Sequence, residues 1–217
     1  MNLNKIFDES DALTPAWQRG CDIVIAGIAL CMASPIFIVV ALAIRLTMGS
    51  PVFFRQIRPG LLGRNIMIVK FRTMRVDRVA IEAASPDASR ITRLGAFLRR
   101  SSLDELPELW GVVCGDLSMV GPRPLLPEYL PYYTDRELIR CLVRPGLTGL
   151  AQVSGRNMID WDVRLEMDVK FAEGLSPQLY FSILWRTIFS VLSSSGVSVD
   201  PYAVAKPLHI ERSKKRQ

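Results

Sequence analysis

Histidine is almost absent: the 217 residues hold one, His209, close to a basic C-terminus. Ser-His-Asp and Cys-His catalysis and His-rich metal sites all need imidazole beside the reacting group, so none is expected. Cysteine is scarce as well. Cys21, Cys31, Cys114 and Cys141 are far apart and lack metal-ligand spacing, which favours reduced thiols in a cytosolic setting over zinc or a disulfide framework. No internal repeat and no low-complexity tract stands out. A secretory leader is not expected, because the first apolar run starts late and lacks a short basic lead-in with a small-residue cleavage site. Aromatics sit mainly in apolar runs rather than among exposed basic residues, the opposite of what a nucleic-acid binder shows.

What is present is apolar mass and positive charge. Hydrophobic residues make up 49% of the chain, and the mean hydropathy of +0.22 is high for a soluble protein. Net charge is +6. A basic balance suits anionic lipid, nucleic acid or phosphorylated substrates and does not choose among them. The length allows one domain with a sizeable core.

The longest apolar run, Ile23 to Ile44, has 22 residues and no charge. At about 1.5 Å per residue it could just cross a hydrocarbon core of roughly 30 Å. Two features oppose a plain span. Ser34-Pro35 falls at the midpoint, where Pro35 frees the carbonyl of Cys31 and Ser34 can supply a local hydrogen bond. Positive charge also flanks both ends: Lys5 and Arg19 before, Arg45, Arg55, Arg58 and Arg64 after. Basic flanks on both sides fit a hairpin with both ends in the cytoplasm; span and hairpin both remain open on this evidence.

The rest of the chain divides by pattern. Residues 1–15 read as a flexible N-terminus, 16–50 as the membrane segment, 51–195 as the main domain and 196–217 as a basic tail. Pro51 to Phe71 reads as two short strands around a Gly-rich turn, with Lys70 ending the second, where a solvated strand-end lysine is the plain alternative to a functional one. Residues 76–90 look like a mobile surface segment. Ile91 to Arg100 has helical spacing, with Ile91, Leu94, Phe97 and Leu98 on one side. Leu125 to Leu142 is expected to be helical after Pro131, and Val143 to Val153 a turn and short strand. Asp160 to Ala172 reads as an amphipathic helix whose charges, Asp168 among them, form a solvated face. Leu179 to Leu192 is either core or an interfacial helix, and Glu211 to Arg216 is expected to be disordered.

The chemistry concentrates in Arg99 to Pro124. Adjacent carboxylates, Asp104 and Glu105, lie five residues after Arg99 and four after Arg100, and a Gly-Pro-Arg-Pro turn then presents Arg123. A carboxylate nucleophile or metal ligand with cations to neutralise phosphate oxygens is a kit for phosphate chemistry. The plain alternative is a helix start, since Ser102 and Glu105 fit the S-x-x-E capping box. A cap at Ser102 would put Pro107 at the fifth helical position, so the helix must start near Asp104 or bend there.

The stretch SSLDELPELW followed by GDLSMVGPRPLLPEY resembles the core of the bacterial sugar transferases, the small monotopic phosphoglycosyl transferases. Further matches lie in order: FFRQ from Phe53, KFRTMR from Lys70, RITRLG from Arg90 and RPGLTGLAQVSGR from Arg144. The similarity runs from about Ala16 to about Val191. It implies an α/β (α+β) fold: a compact domain on the cytoplasmic face of the bacterial inner membrane, with a small sheet and several helices. A re-entrant helix hairpin broken at Ser34-Pro35 and amphipathic interfacial helices would anchor it. It implies transfer of a sugar 1-phosphate from a UDP-sugar to a polyprenol (undecaprenyl) phosphate, releasing UMP, the first membrane step of glycoconjugate or exopolysaccharide assembly. Asp104 matches the nucleophile, and Glu105 its partner in metal organisation or proton handling. Mg2+, with Mn2+ as a substitute, would be held at Asp104 and Glu105. Lys70, Arg99 and Arg123 match phosphate or nucleotide positions, with Arg144 and Arg156 as weaker matches. No nucleic-acid partner is implied, and a homo-oligomer is left open. Departures occur at Gly111 and Cys114, where the family usually has Asn and a basic residue, and near Leu175, Gln178 and Tyr180. The rivals are a non-enzymatic basic adaptor on the membrane surface and a glycosyltransferase releasing UDP.

Overall fold

The computed structural model describes residues 8–75, 90–155, 159–192 and 207–215. Helix α1 (Ala16–Met48) covers the apolar run and continues through Pro35. The carbonyl that Pro35 leaves without an N–H is satisfied locally, because Ser34 Oγ donates to Cys31 O at 2.8 Å, as the sequence predicts. By length and composition α1 could cross a membrane. Its burial is confined to the two ends: Gln18, Asp22 and Ala26 near one, Val40 and Ile44 near the other. Between them Met32 is 75% exposed.

Each end is tied down by a polar device the hydropathy pattern does not report. At the N-terminal end Asp22 Oδ1 accepts from Ser118 Oγ (3.0 Å), the Met119 backbone N–H (2.9 Å) and Tyr180 OH (2.7 Å). Gln18 donates to Ser118 Oγ at 2.8 Å and Val120 O at 3.0 Å. At the other end the buried Arg72 donates to the carbonyls of Met48, Gly49 and Ser50 at 2.6, 2.9 and 3.0 Å. These include the last acceptor of the helix, which has no intrahelical partner. Tyr180, one of the departures from the family pattern, is therefore part of the clamp on α1.

The expected hairpin forms. Strands β1 (Phe53–Pro59) and β2 (Asn65–Phe71) pair antiparallel, in register from Phe53 opposite Phe71 to Pro59 opposite Asn65. Phe37 of α1 packs on Phe71 with ring centroids 4.7 Å apart, and Phe53 stacks on Phe71 at 5.4 Å. Helix α2 (Arg93–Arg100) follows, capped by Thr92, whose hydroxyl accepts from Gly95 N–H at 2.9 Å. A Cβ on Gly95 would lie 1.9 Å from Thr73 O, so only glycine lets α2 lie this close to the exit of β2. Leu98 is buried as its spacing requires, whereas Phe97 is 56% exposed and Ile91 sits before the helix in a bridge to Met74.

Helix α3 (Glu108–Cys114) leads into β3 (Ser118–Val120), which pairs in parallel with β4 (Gly146–Thr148). The two chains cross so closely that a Cβ on Gly146 would lie 2.0 Å from Gly121 N. Between them come a 3-10 stretch over Pro127–Tyr132, α4 (Asp135–Leu138) and a 3-10 turn over Ile139–Leu142. Helices α5 (Leu150–Ser154), α6 (Trp161–Glu173), α7 (Pro177–Leu192) and α8 (Leu208–Lys215) complete the chain.

Several expectations change. Leu150 to Val153 is helix rather than strand. Asp168 is not on a solvated face: it is 3% exposed and paired with Arg140 at 2.9 Å. Helix α7 is both core and surface, with Tyr180 and Ile183 fully buried and Trp185 and Phe189 63% and 54% exposed. The stretch Glu211 to Lys215 is helical, not disordered. Leu208 at the start of α8 is buried, and Arg212 donates to Glu137 Oε1 at 2.6 Å, Asp162 Oδ1 at 2.8 Å and Tyr132 O at 2.6 Å. The surface segment expected after residue 75 lies almost wholly outside the described residues.

Candidate active site

The alternative capping box at Ser102 does not form. Ser102 takes a left-handed conformation, φ 56°, and its side chain caps nothing. A non-glycine residue there carries strain of order 1–3 kcal/mol. The consequence is a sharp reversal after α2. One 3-10 turn, Leu103–Glu105, follows, and Pro107 then stands at the N-cap of α3, where a missing N–H and a fixed φ suit a helix entrance. Asp104 and Glu105 thus sit in a single turn between two helices, both half-buried.

Three elements converge on that turn. From β2, Lys70 Nζ lies 2.5 Å from Glu105 Oε1 and 3.0 Å from Glu108 Oε1. From the Pro-Arg-Pro turn, Arg123 Nη2 reaches the same Glu105 oxygen at 2.6 Å. From α2, Arg99 Nε donates to Thr73 Oγ1 at 3.0 Å, and its charge acts on Asp104. Lys70, Arg99, Asp104, Glu105 and Arg123 therefore lie together around one turn.

The two neighbouring carboxylates have opposite electrostatics. Burial raises the Asp104 pKa, the charge of Glu105 adds to this, and Lys70, Arg123 and Arg99 offset only part; the value is about 6. Among the described residues no side chain is hydrogen-bonded to Asp104. For Glu105 burial acts in the same upward direction, but Arg123 and Lys70 overcome it and hold the carboxyl well below its ordinary range. Neighbouring titratable groups pushed apart in this way mark a division of roles.

Two residues here carry no expectation from the sequence. Glu108 is 5% exposed, and burial raises its pKa against the attraction of Lys70. Thr73 orients Arg99. Glu108 follows Asp104 by four residues, a helical spacing that could have flagged it; the Thr73 contact depends on Gly95 and has no sequence signal.

Arg144 is not part of the group. Its Nε donates to Gly115 O at 3.0 Å, at the far end of α3, and burial lowers its pKa with Arg19 adding repulsion. Arg19 itself donates to Val112 O and, at 2.6 Å, to Val113 O. Unpaired carbonyls at a helix C-terminus attract cations for dipole reasons alone. Arg156 lies outside the described residues. Ser34 and Pro35 lie within α1 and do not contribute to this group.

Beside the site runs a mostly apolar groove of about 420 Å³, lined by Leu30 and Phe37 of α1, Phe53, Arg55 and Met67 of the hairpin, Glu108, Trp110, Gly111 and Cys114 of α3, and Asp116 after it. The two departures from the family pattern on α3 both face it. A Cβ on Gly111 would lie 3.2 Å from Cδ1 of the buried Leu117, so a larger residue there would require Leu117 to shift.

A membrane-capable helix clamped at both ends, with a carboxylate pair ringed by Lys and Arg beside an apolar groove, defines a membrane-associated enzyme of phosphate chemistry. The comparisons agree. Residues 13–194 match the bacterial sugar transferase family, and the chain belongs to it; it is an enzyme of the phosphoglycosyl transferase type. It is 44% identical over 189 residues to the uncharacterised sugar transferase EpsL of Bacillus subtilis (strain 168), covering 87% of this chain and 94% of that one. It is 34% identical to the exopolysaccharide production protein ExoY of Rhizobium meliloti (strain 1021), covering 87% of this chain and 92% of ExoY. It is also 38% identical to the UDP-glucose:undecaprenyl-phosphate glucose-1-phosphate transferase of Escherichia coli (strain K12), covering 79% of this chain but 39% of that longer protein.

Proposed function

We propose that this enzyme transfers a sugar 1-phosphate from a UDP-sugar to polyprenol phosphate through a covalent intermediate on Asp104. The observation that carries this is the contrast between Asp104 and Glu105. Glu105 is pinned by two cations and stays ionised. Asp104 is held by no described side chain, half-buried, and mostly ionised at neutral pH with a pKa near 6. That combination suits a nucleophile.

In the first half-reaction a carboxylate oxygen of Asp104 attacks the β-phosphorus of the donor. The bond from that phosphorus to the bridging oxygen breaks, and UMP leaves with the electron pair. Lys70, Arg99 and Arg123 offset the negative charge that carboxylate and diphosphate bring together. In the second, a phosphate oxygen of the polyprenol phosphate attacks the same phosphorus and Asp104 leaves as carboxylate. The product is a polyprenyl diphosphate sugar. The apolar groove next to Glu108 suits the hydrocarbon end of such an acceptor.

Asp104 and Glu105 also fit a divalent cation shared with substrate. Mg2+ takes one or two carboxylates and fills its remaining positions with phosphate oxygens and water; the described residues form no His/Cys/Asp/Glu cluster of three or more that would make a dedicated protein cage. Bound there, Mg2+ or Mn2+ would supply charge neutralisation at the transferring phosphoryl group.

The anchoring reading is monotopic, on the cytoplasmic face of the inner membrane. Support comes from α1. A straight helix of 33 residues would be about 50 Å long, yet both its ends pack on the same domain, which a span with ends on opposite sides of a bilayer would not allow. The exposed middle of α1 and the exposed aromatic face of α7 would enter the lipid.

The test is product analysis with UDP-sugars and polyprenol phosphate in detergent or nanodiscs. UMP, a polyprenyl diphosphate sugar and loss of turnover in EDTA are expected. Release of UDP would make this a glycosyltransferase, and no turnover with any donor while cellular function survives Asp104→Asn would favour an adaptor.

A further inference from the structure

The Pro-Arg-Pro turn that delivers Arg123 has little structure of its own. Upstream it is fixed by backbone: Gly121 N–H donates to Thr148 O at 2.8 Å, and Gly146 N–H donates to Pro122 O at 3.0 Å. Downstream, Arg123 precedes Pro124, which restricts its backbone to extended conformations but does not anchor it. Leu125 beyond it is buried in the core with Tyr129 and Tyr133, but the Arg123 peptide itself is held by a side chain. Arg140 Nη2 donates to Arg123 O at 2.6 Å.

Arg140 is itself held from three sides. Its Nε and Nη2 donate to Asp168 Oδ2 at 3.1 and 2.9 Å, and its Nη1 donates to Tyr133 OH at 3.3 Å. The guanidinium also lies 5.5 Å from the centroid of the Tyr133 ring. Arg140 is 5% and Asp168 3% exposed. A buried ion pair is weak evidence for stability, because losing water offsets the attraction, and an apolar replacement of similar volume is commonly neutral or stabilising. What an apolar pair cannot do is donate to the Arg123 carbonyl.

We propose that the Arg140–Asp168 pair is a positioning device for the active site: it fixes the backbone of Arg123, and so the place where the Arg123 guanidinium meets Glu105 and the donor's phosphates. The connection runs from Asp168 on α6, through Arg140, to Arg123 and on to Glu105. The Arg123 carbonyl is the one backbone group that the Arg140 side chain bonds among the described residues. The inference rests on the reading that Arg123 faces the donor diphosphate.

The test uses the whole chain in detergent or nanodiscs, with four variants: Arg123→Ala, Asp168→Asn, the double apolar variant Arg140→Met/Asp168→Leu, and that double variant with Arg123→Ala added. Thermal melting and the kcat and KM for UMP release from the UDP-sugar are measured for each. Asp168→Asn leaves a buried guanidinium without its counter-charge and is expected to lower both melting temperature and activity. The double variant decides. It should melt close to wild type and still lose about 10²-fold in kcat/KM, the scale on which small misplacement acts. Adding Arg123→Ala to it should cost little more, because the contribution of Arg123 has already been lost. A double variant that melts like wild type and turns over within about twofold of it, while Arg123→Ala alone is impaired, overturns the positioning role and leaves the active-site reading standing. If Arg123→Ala alone is silent, the positioning role falls together with the assignment of Arg123 to the donor.

Discussion

The two ends of α3 both gather cations, and they use them differently. At the N-terminal end Lys70 and Arg123 converge on Glu105, with Glu108 against Lys70. At the C-terminal end Arg19 and Arg144 donate to the carbonyls of Val112, Val113 and Gly115. The helix is seven residues long, so the ends are only about 10 Å apart. The difference lies in the partner. Cations bonded to backbone carbonyls hold a helix end in place. Cations bonded to a carboxylate, beside a second carboxylate that no described side chain bonds, form a field that a diphosphate can enter. A count of arginines near a motif cannot separate these cases.

The largest effects of substitution are expected at the N-terminal end of α3. Asp104→Asn should abolish turnover. Lys70→Met and Arg123→Ala should each lower kcat/KM per folded molecule by about 10²–10³, the range for losing one charge-stabilising donor. At the opposite end Arg144→Met should do the reverse. It removes a charged donor from a helix-end carbonyl, a loss of about 1–3 kcal/mol in stability, and should leave kcat/KM per folded molecule within about threefold. A large loss of donor turnover in Arg144→Met, at unchanged melting temperature, would return Arg144 to the substrate side.

The smallest effect sharpens the contrast between Asp104 and Glu105. The Asp104 pKa is about 6 in the fold against 3.8 as its ordinary value. A raised carboxyl pKa means that the ionised form opposes folding. That penalty is fully present above pH 6 and vanishes as pH falls below the ordinary value. Without divalent ions, Asp104→Asn should therefore melt higher than wild type at pH 7.5 and alike near pH 3.5. Glu105→Gln should behave in the opposite sense at pH 7.5, because its carboxylate is stabilised by Arg123 and Lys70.

Much of this site is legible in the sequence because it rests on local pattern. The Asp-Glu pair, the Pro-Arg-Pro turn, the β1–β2 hairpin and the helix over Trp161–Glu173 all announce themselves in short stretches of residue types. Ser34 bonding to the carbonyl freed by Pro35 is equally local. What the sequence conceals depends on contacts between distant segments. Arg144 carries the same side chain as Arg123, and only the fold sends one to Gly115 O and the other to Glu105. Asp168 has a place in an amphipathic pattern that assigns charges to water, and only the arrival of Arg140 explains its burial. The capping box at Ser102 fails for a steric reason: the reversal after α2 requires a left-handed residue at that position, and a capping serine would be extended.

The proposed covalent route requires that Asp104 is bonded to the phosphosugar before the acceptor takes part. Wild-type enzyme, UDP-sugar and Mg2+, mixed without polyprenol phosphate and quenched rapidly, test it directly. The prediction is release of up to one UMP per active site, with a phosphosugar mass adduct on Asp104 that hydroxylamine removes, and no adduct in Asp104→Asn. UMP that forms only when polyprenol phosphate is present, with no adduct at any quench time, would contradict the covalent route and leave Asp104 as a ligand to the metal.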